Sequence, residues 1–137
     1  MVKPPIPPDE TQRVAALYAL RILDTPPEER FDRVARLARH VFSVPVSLVT
    51  FVDSNRQWFK SHAGVDMAET PRDVSFCAHA ILRDEVMAVP DLSRDERFAD
   101  NPMVAGEPKV RFYAGCPIRS LDGSRLGTFC LLGLQPR

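Results

Sequence analysis

The chain has 137 residues, 45% hydrophobic and 26% charged, which is the mix of one ordinary globular domain. Its 18 basic and 18 acidic side chains cancel, which argues against nucleic acid as a main partner and against a polybasic membrane anchor. Three widely spaced cysteines, Cys77, Cys116 and Cys130, with no CxxC pair, argue against a zinc ribbon or a disulfide framework and fit reduced, buried thiols.

Residues 1–8 are proline-rich and read as an extended arm ahead of a single domain over 9–137. They lack the apolar run of a signal peptide, and the longest apolar stretch, Val44 to Val52, is too short to span a bilayer, so the chain is expected to be soluble and cytoplasmic. A first helix is expected to start at Asp9 or Thr11, with Asp9 capping near Gln12. Its segment Val14 to Leu20 is apolar enough to pack on its own domain and also on a neighbouring subunit. Thr25-Pro26-Pro27-Glu28 reads as a second helix start, with Thr25 as N-cap, and that helix runs to about Phe42. Phe31, Val34, Leu37, Ala38 and Val41 then share one face, while Arg30, Arg33, Arg36 and Arg39 form a solvated basic stripe.

Val46 to Val52 is β-branched and aromatic and reads as a strand; Asp53 to Arg56 is turn chemistry, and Gln57 to Ser61 returns as a partner strand. An irregular loop lies between Gly64 and Pro71, and a short helix is expected over Val74 to Leu82, capped by Asp73 or Ser75. Val86 to Val89 is a short strand stopped by Pro90, and Ser93 to Glu96 is a further capping box before a helical turn ending near Phe98. After a loop through Asn101-Pro102 and Gly106 to Pro108, Val110 to Ile118 and Arg125 to Leu132 read as two strands joined at Asp122-Gly123. Strands in adjacent pairs predict an α+β domain: an antiparallel sheet with helices on one face and loops on the other.

The phrases Ile22 to Glu29, Phe51-Val52-Asp53, Arg56 to Ser61, Pro71 to Ile81, Val89-Pro90-Asp91, Arg97 to Pro102, Arg111 to Pro117 and Leu126 to Cys130, in that order, resemble the GAF domains at the N-terminus of bacterial sensor histidine kinases and diguanylate cyclases. The resemblance covers nearly the whole chain from about residue 10. It implies five or six antiparallel strands, helices behind them, and a front pocket roofed by the mid-chain helix and loops. It further implies a sensory or regulatory module, not itself an enzyme, that binds an unidentified small molecule, forms a homodimer through its N-terminal helices and controls an output domain, a histidine kinase or diguanylate cyclase, outside this chain. Family members usually continue into a linker helix, whereas this chain stops at Leu134-Gln135-Pro136-Arg137, so that helix is expected to be missing.

The candidate ligand-binding residues are Phe51, Asp53, Trp58, Phe76, Cys77, His79, Arg111, Tyr113 and Thr128. Alternation on the first strand puts Ser47, Val49, Phe51 and Asp53 on one face and Val46, Leu48, Thr50 and Val52 on the other. The uniformly aliphatic or β-branched second set is assigned to the helices, the mixed first set to the pocket. Trp58 and Tyr113 suit stacking on a planar ligand, and Arg111 suits a carboxylate or phosphate; each also reads as core aromatic or as an Arg paired with Asp53, Asp73 or Asp91. Cys77 and His79, placed by the resemblance above the pocket, raise bilin attachment or metal ligation, but residues i and i+2 of a helix point about 200° apart. No catalytic residue, metal ligand set or cofactor is assigned. His40 and His62 read as ordinary, partly exposed histidines. The competing function is a thiol-dependent enzyme of the free methionine sulfoxide reductase type, for which Cys116 and Cys130, on the two last strands, are the neighbours to watch.

Overall fold

The computed structural model describes residues 1–137. Six strands, β1 (Val46–Val52), β2 (Arg56–Ala63), β3 (Glu69–Pro71), β4 (Met87–Val89), β5 (Phe112–Arg119) and β6 (Arg125–Gly133), form one antiparallel sheet in the order β3-β2-β1-β6-β5-β4. Helices α1 (Glu10–Ala19) and α2 (Glu29–Val41) cover its back; α3 (Phe76–Ala80) covers its front, with the short α4 (Pro102–Ala105) further along the chain. The α+β sheet with helices on one face and a roofed front is the expected architecture. No helix is long and apolar enough to cross a membrane.

Two expected helix starts differ. Asp9 precedes α1 but makes no side-chain cap bond, because its ψ of 22° is not the extended geometry that aims a capping oxygen at the first turn. Thr25 does not cap α2, which begins four residues later, after Glu28. The cause is Lys60, whose fully buried ammonium takes up the groups the cap needed. It donates to Thr25 Oγ1 at 2.8 Å and to the Pro26 carbonyl at 2.7 Å, and pairs with Glu28 at 2.6 Å. A bulge between Val49 and Thr50 leaves Lys60 out of the β1–β2 register. Ser75 does cap α3, accepting from the Ala78 N–H at 3.0 Å.

The face of α2 is also corrected. Ala35 and Ala38 are the buried positions, and small residues there let the helix lie close to the sheet. Val34, Leu37 and Val41 point outward, 45%, 60% and 62% exposed. Two further elements lie where the sequence suggested only loop: β3, and α4, whose cap Asn101 accepts from the Met103 N–H at 2.9 Å and is followed by Pro102.

The core divides at the sheet. Behind it, Val49, Phe51, Trp58 and Leu126 pack with Leu17 of α1. In front, Leu48, Val52, Phe59, Tyr113 and Cys130 pack with Phe76, Cys77 and Ile81. A buried ion network ties the two sides together: Glu10 of α1 pairs with Arg13 at 2.9 Å and with Arg72 at 2.5 Å. Arg72 sits just ahead of the roof helix α3 and also donates to the Asp53 carbonyl at 3.1 Å.

Candidate functional site

The front of the sheet encloses one apolar cavity of about 290 Å³, near the lower end of the size of small-molecule sites. Val46 and Leu48 of β1, Gln57 and Phe59 of β2, Tyr113 of β5 and Cys130 and Leu132 of β6 form its floor. Phe76 and Cys77 of α3 roof it, and Val65, Met67, Met103 and Val110 close the sides. The roof is pinned by Ser75, which donates to Gln57 Oε1 at 2.5 Å while capping α3. The lining is mostly hydrocarbon. Among its polar atoms, Thr70 Oγ1 is buried without a hydrogen-bond partner, an arrangement that costs free energy unless a ligand or water answers it.

The polar part of the site centres on sulfur, where the roof helix meets the sheet. Cys77 Sγ accepts from Thr128 Oγ1 at 2.9 Å and from the Tyr113 hydroxyl at 3.1 Å, and the Cys130 sulfur lies 3.7 Å away. Thr50 Oγ1 is 3.2 Å from Thr128 Oγ1; since Thr128 spends its proton on Cys77, Thr50 donates to Thr128. Burial pushes the Cys77 thiol up, but the donors from Cys130, Thr128 and Tyr113 outweigh it and bring it below the ordinary thiol range. Cys130 is driven the other way, by the hydrogen bond it gives to Cys77 and by burial. Tyr113 reaches the sulfur because Gly115 has no side chain: a Cβ there would lie 2.1 Å from the tyrosine oxygen.

Of the nine candidate residues, the structure brings Phe76, Cys77 and Tyr113 to the cavity wall, with Thr128 directly beneath Cys77. Phe51 and Trp58 are corrected to the back of the sheet, where they pack with Leu17. The two faces of β1 are reversed relative to expectation, since the uniformly aliphatic set lines the cavity and the mixed set meets the helices. Asp53 belongs to the β1–β2 turn; it accepts from Tyr18 Oη at 2.7 Å, the Ser54 N–H at 2.7 Å and Arg56 Nε at 3.1 Å. Burial raises its carboxyl, but these donors outweigh it and hold the group below the carboxylate range. His79 turns away from Cys77, with Nε2 3.2 Å from the Val2 carbonyl and its ring edge-on to Phe98; burial lowers its pKa. Arg111 meets carbonyls and no carboxylate, donating to Val104 at 2.9 Å and Val110 at 3.2 Å.

Sequence reasoning missed Val46, Leu48, Gln57, Phe59, Thr70 and Leu132 as cavity residues. The usable signal was Gln57-Trp58-Phe59, where a polar and an aromatic residue alternate around Trp58, so that placing Trp58 behind puts Gln57 and Phe59 in front. The Cys116–Cys130 proximity is corrected as well. Cys130 pairs across the ladder with Gly115, and Cys116 with Phe129, so the two thiols leave opposite faces and Cys116 is exposed. The thiol beside Cys130 is Cys77.

The family model for the GAF domain matches residues 26–137. A cyclic di-GMP phosphodiesterase of Pseudomonas aeruginosa is 42% identical over 137 residues, all of this chain; the chain spans 23% of that relative's length. Among solved structures, the GAF domain of an Acinetobacter phosphoenolpyruvate-protein phosphotransferase superposes with a TM-score of 0.62 at 14% identity, covering 93% of this chain and 78% of that one. The free methionine-R-sulfoxide reductase of Neisseria meningitidis, in complex with its substrate, gives 0.64 at 15%, covering 92% and 74%. At such identities the likeness is one of fold, and it does not separate a sensor from a reductase.

Proposed function

The chain belongs to the GAF domain family, and from that premise we propose that it is the sensory module of a bacterial signalling protein, taking one small apolar molecule in its front cavity. The observation that carries this reading is the apolar cavity with the unanswered Thr70 hydroxyl in its lining. A ligand of mostly hydrocarbon surface with one hydrogen-bonding group fits that lining. The relative from Pseudomonas aeruginosa supports turnover of cyclic di-GMP as the output of the parent protein, in place of phosphotransfer to a response regulator. Occupancy shifts the population of roof conformations, and the Glu10–Arg72 pair carries the difference to α1.

The test is a thermal-shift screen of small apolar alcohols, acids and ketones against the native chain and Leu48→Trp, which fills the cavity floor. A ligand at 100 times its Kd stabilises the native fold by about 2.7 kcal/mol. Leu48→Trp is expected to fold and to lose that response. Equal responses from both proteins, or none from the native chain, would sink the reading.

We place the dimer contact of this module on the outer face of α2, where Val34, Leu37 and Val41 form an exposed apolar stripe. Light scattering at micromolar concentration is expected to report a dimer for the native chain and a monomer for Leu37→Glu. A native monomer would remove the interface.

A further inference from the structure

We propose that Cys77 and Cys130 form a reactive dithiol that takes a small apolar hydroperoxide from the cavity and reduces it to an alcohol. The inference deepens the ligand-site reading, and rests on it, by naming a class of ligand that reacts on arrival.

Three observations converge. Both sulfurs line the same cavity and lie 3.7 Å apart, close enough for one to attack the other once it is oxidised. Two hydroxyl donors converge on Cys77 Sγ, one of them seated by the missing side chain of Gly115. A neutral thiol is a weak acceptor with little use for such an arrangement, whereas a thiolate is stabilised by each donor. The rest of the lining is hydrocarbon from Val46, Leu48, Phe59 and Phe76, which favours an organic hydroperoxide over hydrogen peroxide. The third cysteine serves as an internal reference, since Cys116 is exposed, lies on the other face and has only the Pro117 carbonyl near its sulfur.

The chemistry balances without a metal or cofactor. Cys77 thiolate attacks the terminal oxygen of R–O–O–H, and the O–O bond breaks. The alkoxide leaves as ROH with the proton that Cys77 released on ionising, and Cys77 becomes a sulfenic acid. The Cys130 sulfur then attacks Cys77 Sγ, the S–O bond breaks, and the hydroxyl departs as water with the Cys130 proton. Two thiols and one hydroperoxide become one disulfide, one alcohol and one water. Closing the sulfurs from 3.7 Å to about 2.05 Å draws the roof helix α3 toward β6, so the oxidised and reduced cavities differ in shape.

The experiment treats the reduced native chain, Cys77→Ser, Cys130→Ser and Cys116→Ser with cumene hydroperoxide or hydrogen peroxide at equal concentration, followed by intact mass and peptide mapping. The native chain and Cys116→Ser are expected to form the Cys77–Cys130 disulfide about tenfold faster, or more, with cumene hydroperoxide. Cys130→Ser is expected to stop at a Cys77 sulfenic acid that dimedone traps, and Cys77→Ser to show only slow oxidation of Cys116. Failure to link Cys77 with Cys130, prior oxidation of Cys116, or equal rates with the two peroxides would overturn the proposal. Cumyl alcohol, the unreactive analogue, separates the two readings by thermal shift. If it stabilises the chain while no disulfide forms, the dithiol inference falls and the ligand site stands; if it neither stabilises nor any disulfide forms, both fall.

Discussion

Glu10→Ala is expected to cost about 3 kcal/mol of unfolding free energy, measured by urea denaturation, because it strands two buried guanidinium groups. Arg13 is 1% exposed and Arg72 4%, and Glu10 is the carboxylate that both of them reach. With it gone, Arg72 retains the Asp53 and Ser54 carbonyls and Arg13 a distant Arg125 carbonyl, none of which neutralises charge. The expected loss sits at the lower end for a broken buried pair because Glu10 keeps 20% of its side chain in water. Glu10→Gln, which keeps the shape and loses the charge, should fall between. A loss below about 1 kcal/mol for the alanine variant would show that the network is solvated and adds little.

The same carboxyl sets an acid limb. Burial alone would raise its pKa, but the hydrogen bonds from Arg72 and Arg13 prevail and lower it from 4.5 to about 2. A depressed folded-state value means that the stabilisation is complete above the unfolded-state value and is lost as pH falls toward 2. Melting temperature is therefore expected to fall between about pH 4.5 and 2, and to fall less steeply in Glu10→Gln. Parallel acid limbs for the two proteins would assign the acid sensitivity to other carboxylates, such as Asp53.

The second large effect belongs to Gly127→Ala. Gly127 sits on central strand β6, paired with Phe51 of β1 on one side and Ile118 of β5 on the other. A Cβ there would lie 1.9 Å from the Thr50 carbonyl oxygen and 2.7 Å from the Phe51 Cα, both backbone atoms that cannot swing aside. The strands must part at the middle of the sheet, so the variant is expected to lose about 3 kcal/mol or more, or to fail to fold. Gly123→Ala is the control: its φ is +87° but no atom lies within 4 Å of the new methyl, so only the left-handed backbone costs, about 1 kcal/mol. Similar losses from the two variants, by urea denaturation, would refute the steric argument.

Five of the six strands, all but β3, were legible because β-branched runs such as Val46 to Val52 carry their own signal, and the ordered phrases from Ile22 to Cys130 identified the family. The inward face was not legible on β1, because both faces of that strand are buried. The rule that the more aliphatic face meets the helices failed because α2 presents alanines to the sheet while the cavity itself is walled with hydrocarbon. The start of α2 was hidden by Lys60, a residue 35 positions after Thr25 whose partners only the fold brings together. Tyr113 and Cys77 were visible as residue types, but their meeting depends on Gly115, which reads in sequence as a weak point in a strand.

The sheet ends on both sides in strands of only three residues, β3 and β4. Proline closes β3 at Pro71 and follows β4 at Pro90, and a proline nitrogen has no hydrogen to offer an incoming strand. Neither margin therefore provides a template long enough for another chain to extend the ladder. Copies of this domain that crowd together, on the ribosome or in a concentrated cell, are kept from stitching edge to edge into fibrils, and association is steered to side-chain surfaces, where it remains reversible.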